Sequence, residues 1–207
     1  MSWLDWRMGG VVVNSKPLSE MNLEELWMLF PIILCPHNPA YAQWYDAART
    51  ALLSSLAPDA VARISHIGST AVAGLVAKPT VDILLELTAD YSVAAASRDI
   101  VDNGWLLMSS VYEPDLKQVY NKGYTPEGFA ERVYHLHVRR LGDWDELYFR
   151  DYLIAHSDVA AEYGSLKLSL HKPYEHDRNG YTEAKTDFIR QKTIAARLEF
   201  PRRYAID

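Results

Sequence analysis

The chain has 207 residues, 49% of them hydrophobic, and carries a formal net charge of −6 with a pI near 5.6. This length and apolar content suit one globular domain, and the acidic balance argues against nonspecific binding to nucleic acid, which needs a basic surface. The single Cys35 excludes an intramolecular disulfide, and the lack of a membrane-length apolar run or a signal-peptide pattern predicts a soluble cytoplasmic protein with no membrane contact.

Two helices are predicted ahead of the first strand. Asn22 is a residue type favoured at helix N-caps and predicts a short helix over residues 23–30. Asn38 and Pro39 predict the N-cap and first residue of a second helix, whose apolar and aromatic residues recur every three or four positions until near Pro58. Its aromatic stripe is interpreted as core packing, with a base-stacking surface as the alternative.

A phosphate-binding turn is predicted after the first strand. Residues 61–67 alternate and are rich in β-branched side chains, which is typical of a strand. Gly68 allows a sharp turn and close approach of a ligand. Ser69 and Thr70 are N-cap types for a short helical turn, whose free N–H groups favour an anion. The alternative is a plain connection, in which His66 is a hydrogen-bonded core residue instead of a ligand contact.

The strand after this turn carries two carboxylates. Residues 81–87 form a nearly continuous apolar run, and a buried strand seldom tolerates a charge without a reason. Asp82 is therefore predicted to face a nucleotide site. Glu86 shares the face of Asp82 but lies ~13 Å away along the strand, which is too far to share an ion with it directly. Glu86 faces either the pocket or a helix. Lys78 is held extended by the following Pro79 and reaches either a phosphate or solvent.

The middle of the chain predicts one helix and three strands: helix 93–101 and strands 105–112, 117–120 and 133–139. Residues 121–132 contain Gly and Pro and are predicted as a loop, either a lid or a plain connection. Strict alternation in the last strand places His135, His137 and Arg139 on one face.

These two histidines have the spacing needed to share a metal ion. Imidazole suits Zn, Fe or Ni better than Mg. Together with Asp82, His135 and His137 are predicted to form a three-ligand site that leaves one position open. The alternative is that both histidines form hydrogen bonds inside the fold.

The last third of the chain predicts three helices. Their N-caps are assigned to Asp143, Ser157 and Thr182. Asp151 falls on an apolar stripe and needs a partner, for which an ion pair to the core is expected, because Arg150 on the same helix is predicted to point elsewhere.

Basic residues of these helices predict an anion site. Lys185 lies in the first turn after Thr182, where the helix dipole disfavours a cation, and this indicates an anionic ligand or a carboxylate partner. Arg150, Lys167 and Lys185 are predicted to line a phosphate pocket between the helices and the sheet.

The order of elements predicts an α+β fold. A single domain is expected over residues 18–207, with a sheet-rich core at about 18–140 and a helical appendage at about 141–207. Residues 1–17 show no clear period and are predicted as either a mobile leader or an edge strand.

The central residues resemble the GrpB family. The resemblance is carried by His66-Ile-Gly-Ser-Thr-Ala-Val, Gly74, Ala77-Lys-Pro and Val81-Asp-Ile, and by blocks such as Asn121-Lys-Gly-Tyr-Thr-Pro-Glu-Gly-Phe and Tyr134-His-Leu-His-Val. It extends roughly from Leu18 to the C-terminus. That family is grouped by fold with the DNA polymerase β-like nucleotidyltransferases, so the resemblance implies a nucleotidyltransferase-like mixed sheet flanked by helices.

The resemblance also implies a function. Nucleotidyltransferases of this fold hold a divalent metal with two carboxylates spaced two residues apart on a strand. Asp82 occupies the first position and would be the catalytic metal ligand, with Mg, Mn or Zn as cofactor and a nucleotide or other phosphorylated small molecule as ligand. Leu84 occupies the second position. This departure favours the alternative, a catalytically inactive ligand-binding or protein-interaction module on the same fold.

Overall fold

A computed structural model describes residues 16–206, so the prediction for residues 1–17 falls almost wholly outside the described part. The helices are α1 Leu23–Leu29, α2 Ala40–Ser55, α3 Val93–Asp102, α4 Asp145–Ala155, α5 Ser157–His171, α6 Arg178–Glu183 and α7 Thr186–Glu199. The strands are β1 Val61–Ile67, β2 Thr80–Leu87, β3 Leu106–Val111, β4 Lys117–Thr125 and β5 Gly128–Arg140. None of the helices in residues 16–206 is both long and apolar enough to cross a bilayer.

The strands form one mixed sheet in the order β1-β2-β5-β4-β3. The central pair, β2 and β5, is parallel, and the other three pairs are antiparallel. Four helices follow the last strand. The predicted α+β class with a helical C-terminal third is therefore confirmed.

The two faces of the sheet have different partners. On one face, alternate residues of β2 and β5 join a core with α2 and α3, which includes the almost fully buried Tyr41. The aromatic stripe of α2 thus packs in the core. On the other face, Leu84 contacts Leu147 of α4. Because successive residues of a strand alternate between faces, Asp82, His135 and His137 lie on this second face, beneath the C-terminal helices.

The prediction of a loop over residues 121–132 is wrong. β4 and β5 continue through this segment as a hairpin that closes at Thr125 and Gly128. Gly123 adopts φ +93° at an irregularity in the pairing, and a Cβ there would lie 2.2 Å from the carbonyl oxygen of Arg132. The glycine that suggested a loop therefore permits a bulge inside a strand.

Three predicted helix caps are also wrong. Ser157 is the first residue of α5, whose N-cap is His156, and the His156 side chain does not cap this helix. Asp143 does not cap α4, because its carboxylate accepts from Arg197 at 2.7 Å, and a charge-assisted bond is stronger than a neutral cap bond. Thr182 lies inside α6, which is capped by Asp177. α7 begins after Lys185, which has no capping side-chain bond. The predicted cap at Asn22 is confirmed, because Asn22 and Glu25 form a capping box at the start of α1.

Candidate functional site

The turn after β1 is shaped by Gly68 and Asp82. Gly68 adopts φ +70° and lies so close to the carboxylate that a Cβ would stand 2.3 Å from Asp82 Oδ2. One 3₁₀ turn, Ser69–Ala71, follows, and neither the Ser69 nor the Thr70 hydroxyl caps it. The buried Thr70 hydroxyl donates instead to the carbonyl of Thr80 at 3.1 Å. Thr70 therefore joins the turn to β2, while the Ser69 hydroxyl accepts from Lys167 at 2.9 Å.

Replacing Gly68 is expected to damage this turn. In Gly68→Ala the methyl group would overlap the Asp82 carboxylate in a backbone conformation that L-residues rarely adopt. We expect a loss of roughly 2–4 kcal/mol in the free energy of unfolding, measured by urea denaturation. Gly74→Ala is the matched control, because it has a similar φ of +77° but no atom within 4 Å of its Cβ. Equal losses in both variants would contradict the close approach to Asp82.

Asp82 begins a chain of three polar side chains. It stands directly opposite His135 in the parallel register of β2 and β5. His135 Nδ1 lies 3.2 Å from Asp82 Oδ1, and His135 Nε2 lies 2.7 Å from the Tyr124 hydroxyl. His137 Nε2 is more distant, at 4.0 Å from Asp82 Oδ1. Both ring nitrogens of His135 are thus engaged.

The electrostatics assign the protons in this chain. Burial would raise the pKa of Asp82, but hydrogen bonds and charge from His135 and His137 hold it well below its usual range. Burial lowers the pKa of His135, so its ring is neutral at pH 7. A neutral ring donates from one nitrogen and accepts at the other. We therefore assign Nδ1–H to donate to Asp82 and Nε2 to accept from Tyr124.

The donor set does not fit the predicted metal site. Among residues 16–206, no three His, Cys, Asp or Glu side chains are grouped as ligands for one ion. His135 uses both nitrogens within the protein, and Leu84 at the second carboxylate position is fully buried. Mg²⁺ prefers several oxygen ligands, and among the three predicted ligands Asp82 alone supplies oxygen. A metal ion held by Asp82, His135 and His137 stays a prediction.

Three lysines from separate segments of the chain carry charges that act on one another, and one of them contacts the turn. Lys78 precedes β2, Lys167 lies in α5, and Lys185 lies between α6 and α7. Lys167 Nζ donates to Ser69 Oγ at 2.9 Å and also to the carbonyl oxygen of Val76. Within residues 16–206, the ammonium groups of Lys78 and Lys185 have no hydrogen bond or ion pair.

Burial and mutual repulsion lower the pKa values of all three lysines. Burial, followed by the charges of Lys185 and Lys78, lowers the pKa of Lys167 to about 7. The pKa of Lys185 is also lowered to about 7, mainly by burial and then by Lys78, while Asp82 opposes the shift. Burial and then Arg178 lower the pKa of Lys78 to about 8. The charge of Lys78 acts on Lys167 and Lys185, and that of Arg178 acts on Lys78, so these four cations lie near one another.

Arg178 connects this cation cluster, defined as Lys78, Lys167, Lys185 and Arg178, to the polar chain. Its Nη2 lies 3.5 Å from the Tyr124 hydroxyl, and its guanidinium lies 5.7 Å from the centre of the Tyr124 ring. Neither Tyr124 nor Arg178 is among the site residues predicted from the sequence. Tyr124 fell in the segment predicted as a loop, although it belongs to a block that resembles the GrpB family. No spacing pattern distinguishes Arg178 from its polar neighbours.

Arg150 is engaged away from the cation cluster. It pairs with Asp151 at 2.7 Å and donates to the carbonyl of His66 at 3.0 Å and to the Tyr204 hydroxyl at 2.8 Å. The prediction that Arg150 points away from Asp151 is therefore wrong, because the long side chain folds back onto its neighbour. Through its bond to His66, Arg150 holds α4 against β1.

The structure places two other pocket candidates within structural networks. Glu86 is fully buried, binds Arg63 through both carboxylate oxygens, and accepts from the Gly142 N–H at 3.0 Å. His66 stacks on Tyr45 with ring centres 4.9 Å apart, and burial lowers its pKa to about 4. These contacts fit the alternative of a hydrogen-bonded core histidine. Glu86 neutralises Arg63 and does not face the pocket.

A cavity of about 630 Å³ adjoins the site, which is a size typical of small-molecule pockets. Its lining includes Gly68, Asp82, His137 and Tyr163. The Tyr163 ring also packs against Lys167, whose Nζ lies 4.6 Å from the ring centre. Tyr163 therefore lies between the cavity and Lys167 of the cation cluster.

Known proteins resemble this chain over most of its length. The profile described as "GrpB protein" matches residues 31–194. The glutamate-rich protein GrpB of Alkalihalophilus pseudofirmus is 33% identical over 76% of this chain and 91% of its own. The UPF0157 protein YqkA of Bacillus subtilis is 30% identical over 74% of this chain, but the match spans only 44% of YqkA.

A solved structure shares the fold. GrpB from Enterococcus faecalis superposes with a TM-score of 0.70 and 24% identity, over 81% of this chain and 99% of that one. At this identity the likeness establishes the fold alone. The profile match and the relatives at 30% identity or more carry the assignment. This chain belongs to the GrpB family.

Proposed function

We propose that this chain binds the phosphates of a nucleotide or another phosphorylated small molecule between the sheet and the C-terminal helices. The cation cluster would hold the phosphates, and the adjoining cavity would take the rest of the ligand. The observation that carries the proposal is that Lys78 and Lys185, which are close enough for the charge of one to act on the other, have no ion-pair partner in the described part of the chain.

Electrostatics support this assignment. Unpaired buried cations are costly and are retained where they serve a ligand. A bound phosphate would supply the negative charge that the three lysines and Arg178 lack. Ser69 lies beside Lys167 and can donate its hydroxyl proton to a phosphate oxygen, because its oxygen already accepts from Lys167.

Two functions are compatible with such a site. The first is that of a nucleotidyltransferase-like enzyme. It is favoured by the Asp82–His135–Tyr124 chain, because a binding site alone does not need a hydroxyl paired with a base. The second is a ligand-binding module without catalysis. Leu84 favours it, since this fully buried residue occupies the second carboxylate position.

The proposal is tested by calorimetric titration of the protein with pyrophosphate and with ATP, GTP, CTP and UTP. Each titration is run with and without EDTA, at pH 7. We expect at least one of these probes to bind, and binding of pyrophosphate to persist in EDTA because the cation cluster is part of the protein. Lys172→Met is the control, since this lysine side chain is 87% exposed and pairs with Glu175. If no probe binds, the proposed function is wrong.

A further inference from the structure

The hydroxyl of Tyr124 stands at the end of a hydrogen-bonded series that the binding of phosphates does not require. Its oxygen lies 2.7 Å from His135 Nε2, and His135 Nδ1 lies 3.2 Å from Asp82 Oδ1. The order is hydroxyl, imidazole, carboxylate. This is the arrangement by which enzymes activate a weak nucleophile, because the imidazole removes its proton and the carboxylate stabilises the imidazolium that forms.

The surroundings hold Tyr124 in place. Its ring packs edge-on against Phe30, with ring centres 4.9 Å apart, and against Phe129 at 5.4 Å. The side chain therefore has little freedom to leave His135. Arg178 Nη2 lies 3.5 Å from the hydroxyl, on the side of the cation cluster. A phosphate held by Arg178 would stand next to the Tyr124 oxygen.

We propose that Tyr124 is a catalytic nucleophile, which takes a phosphoryl or nucleotidyl group from a nucleoside triphosphate held by the cation cluster. This inference rests on the proposed function. The Tyr124 oxygen forms a bond to phosphorus as the bond between that phosphorus and its leaving oxygen breaks. The phenol proton passes to His135 Nε2. The leaving nucleoside diphosphate or pyrophosphate departs as an anion beside the lysines, and the product is a phosphodiester or phosphomonoester of tyrosine.

The roles of the other two residues follow from this step. His135 is the general base. Asp82 is a positioning residue, which fixes the ring tautomer through Nδ1 and stabilises the imidazolium. Burial raises the pKa of Tyr124, while Arg178 opposes the shift. The hydroxyl is therefore protonated at pH 7 and needs the base.

The test uses rapid acid quenching of the full-length protein mixed with each of ATP, GTP, CTP and UTP, followed by intact-mass and peptide mass spectrometry. We expect one phosphoryl or nucleotidyl group on Tyr124 in the wild type. Tyr124→Phe should carry none while binding the same triphosphate within about threefold of the wild-type affinity, since the ring contacts remain. Tyr112→Phe is the matched control, because Tyr112 is 59% exposed, and it should be labelled like the wild type.

A second variant separates catalysis from folding. His135→Gln should form the adduct about 100-fold more slowly at pH 7, and its rate should rise with pH as Tyr124 ionises without help. A merely structural histidine would not change the pH profile. Binding of a triphosphate without an adduct on wild-type Tyr124, or an adduct on another residue, would overturn the inference and leave the proposed function intact. Failure of every triphosphate to bind would overturn both.

Discussion

Lys185→Met is expected to stabilise the protein and to weaken its binding of pyrophosphate. The wild-type lysine is 9% exposed, and burial lowers its pKa to about 7. Its charged form is therefore unfavourable in the fold without a ligand. Methionine fills a similar volume without a charge. We expect a gain of roughly 2–4 kcal/mol in the free energy of unfolding at pH 7, and a midpoint higher by about 5 °C or more.

The pH dependence identifies the cause of this gain. The folded pKa of Lys185 lies below the unfolded value of 10.5, so the unfolded chain binds more protons between about pH 7 and pH 10.5. The penalty is fully present below that window and disappears as the pH rises through it. The difference in melting temperature between Lys185→Met and the wild type should therefore shrink as the pH is raised from 7 towards 10.

The same variant should bind pyrophosphate about 10- to 100-fold more weakly, because a charge-assisted hydrogen bond contributes about 1.5–3 kcal/mol. Lys172→Met is the control for both measurements, since its side chain is 87% exposed, and neither stability nor affinity should change much. A destabilised Lys185→Met that binds pyrophosphate normally would show that Lys185 has a structural role.

Binding of pyrophosphate is expected to take up protons from the buffer. In the free protein, burial lowers the pKa of Lys167 and Lys185 to about 7 and that of Lys78 to about 8, so these groups are only partly protonated at pH 7.5. A bound anion stabilises the charged forms and raises their pKa values. Affinity should therefore fall as the pH rises from 7 to 9, through the range where the free lysines lose their protons.

Titration calorimetry in two buffers with different ionisation enthalpies measures this uptake. We expect about one proton taken up for each pyrophosphate bound at pH 7.5, and less at pH 6, where the free lysines are already charged. Lys185→Met should reduce the number. The same heat in both buffers, or an affinity that does not change between pH 7 and pH 9, would contradict a site made of these lysines.

The parts of this site that the sequence predicted are those with a local physical signature. Asp82 was identified because a carboxylate interrupts an apolar strand, and the structure places it at the pocket. Lys185 was identified because a cation near a helix start is unfavourable. The assigned helix start was wrong, and of the two predicted partners the carboxylate is excluded, because Lys185 has no ion pair within residues 16–206.

Other parts depend on distances that the sequence does not contain. Arg178 lies far along the chain from Tyr124, and only the packing of α6 beside β4 brings them together. Arg150 was predicted to line the phosphate pocket because of its charge, but its side chain pairs with Asp151 instead. The continuation of β4 and β5 as a hairpin was not predicted, because glycine and proline indicate a loop and a bulged strand equally well.

The most direct test of the central claim is a crystal structure of the protein with pyrophosphate. We expect phosphate oxygens at about 2.7–3.2 Å from the Nζ atoms of Lys78 and Lys185, with Arg178 and Ser69 completing the contacts. Such a result would establish that the cation cluster holds phosphates. Pyrophosphate bound elsewhere on the protein, with the two lysines making no contact to it, would contradict the claim.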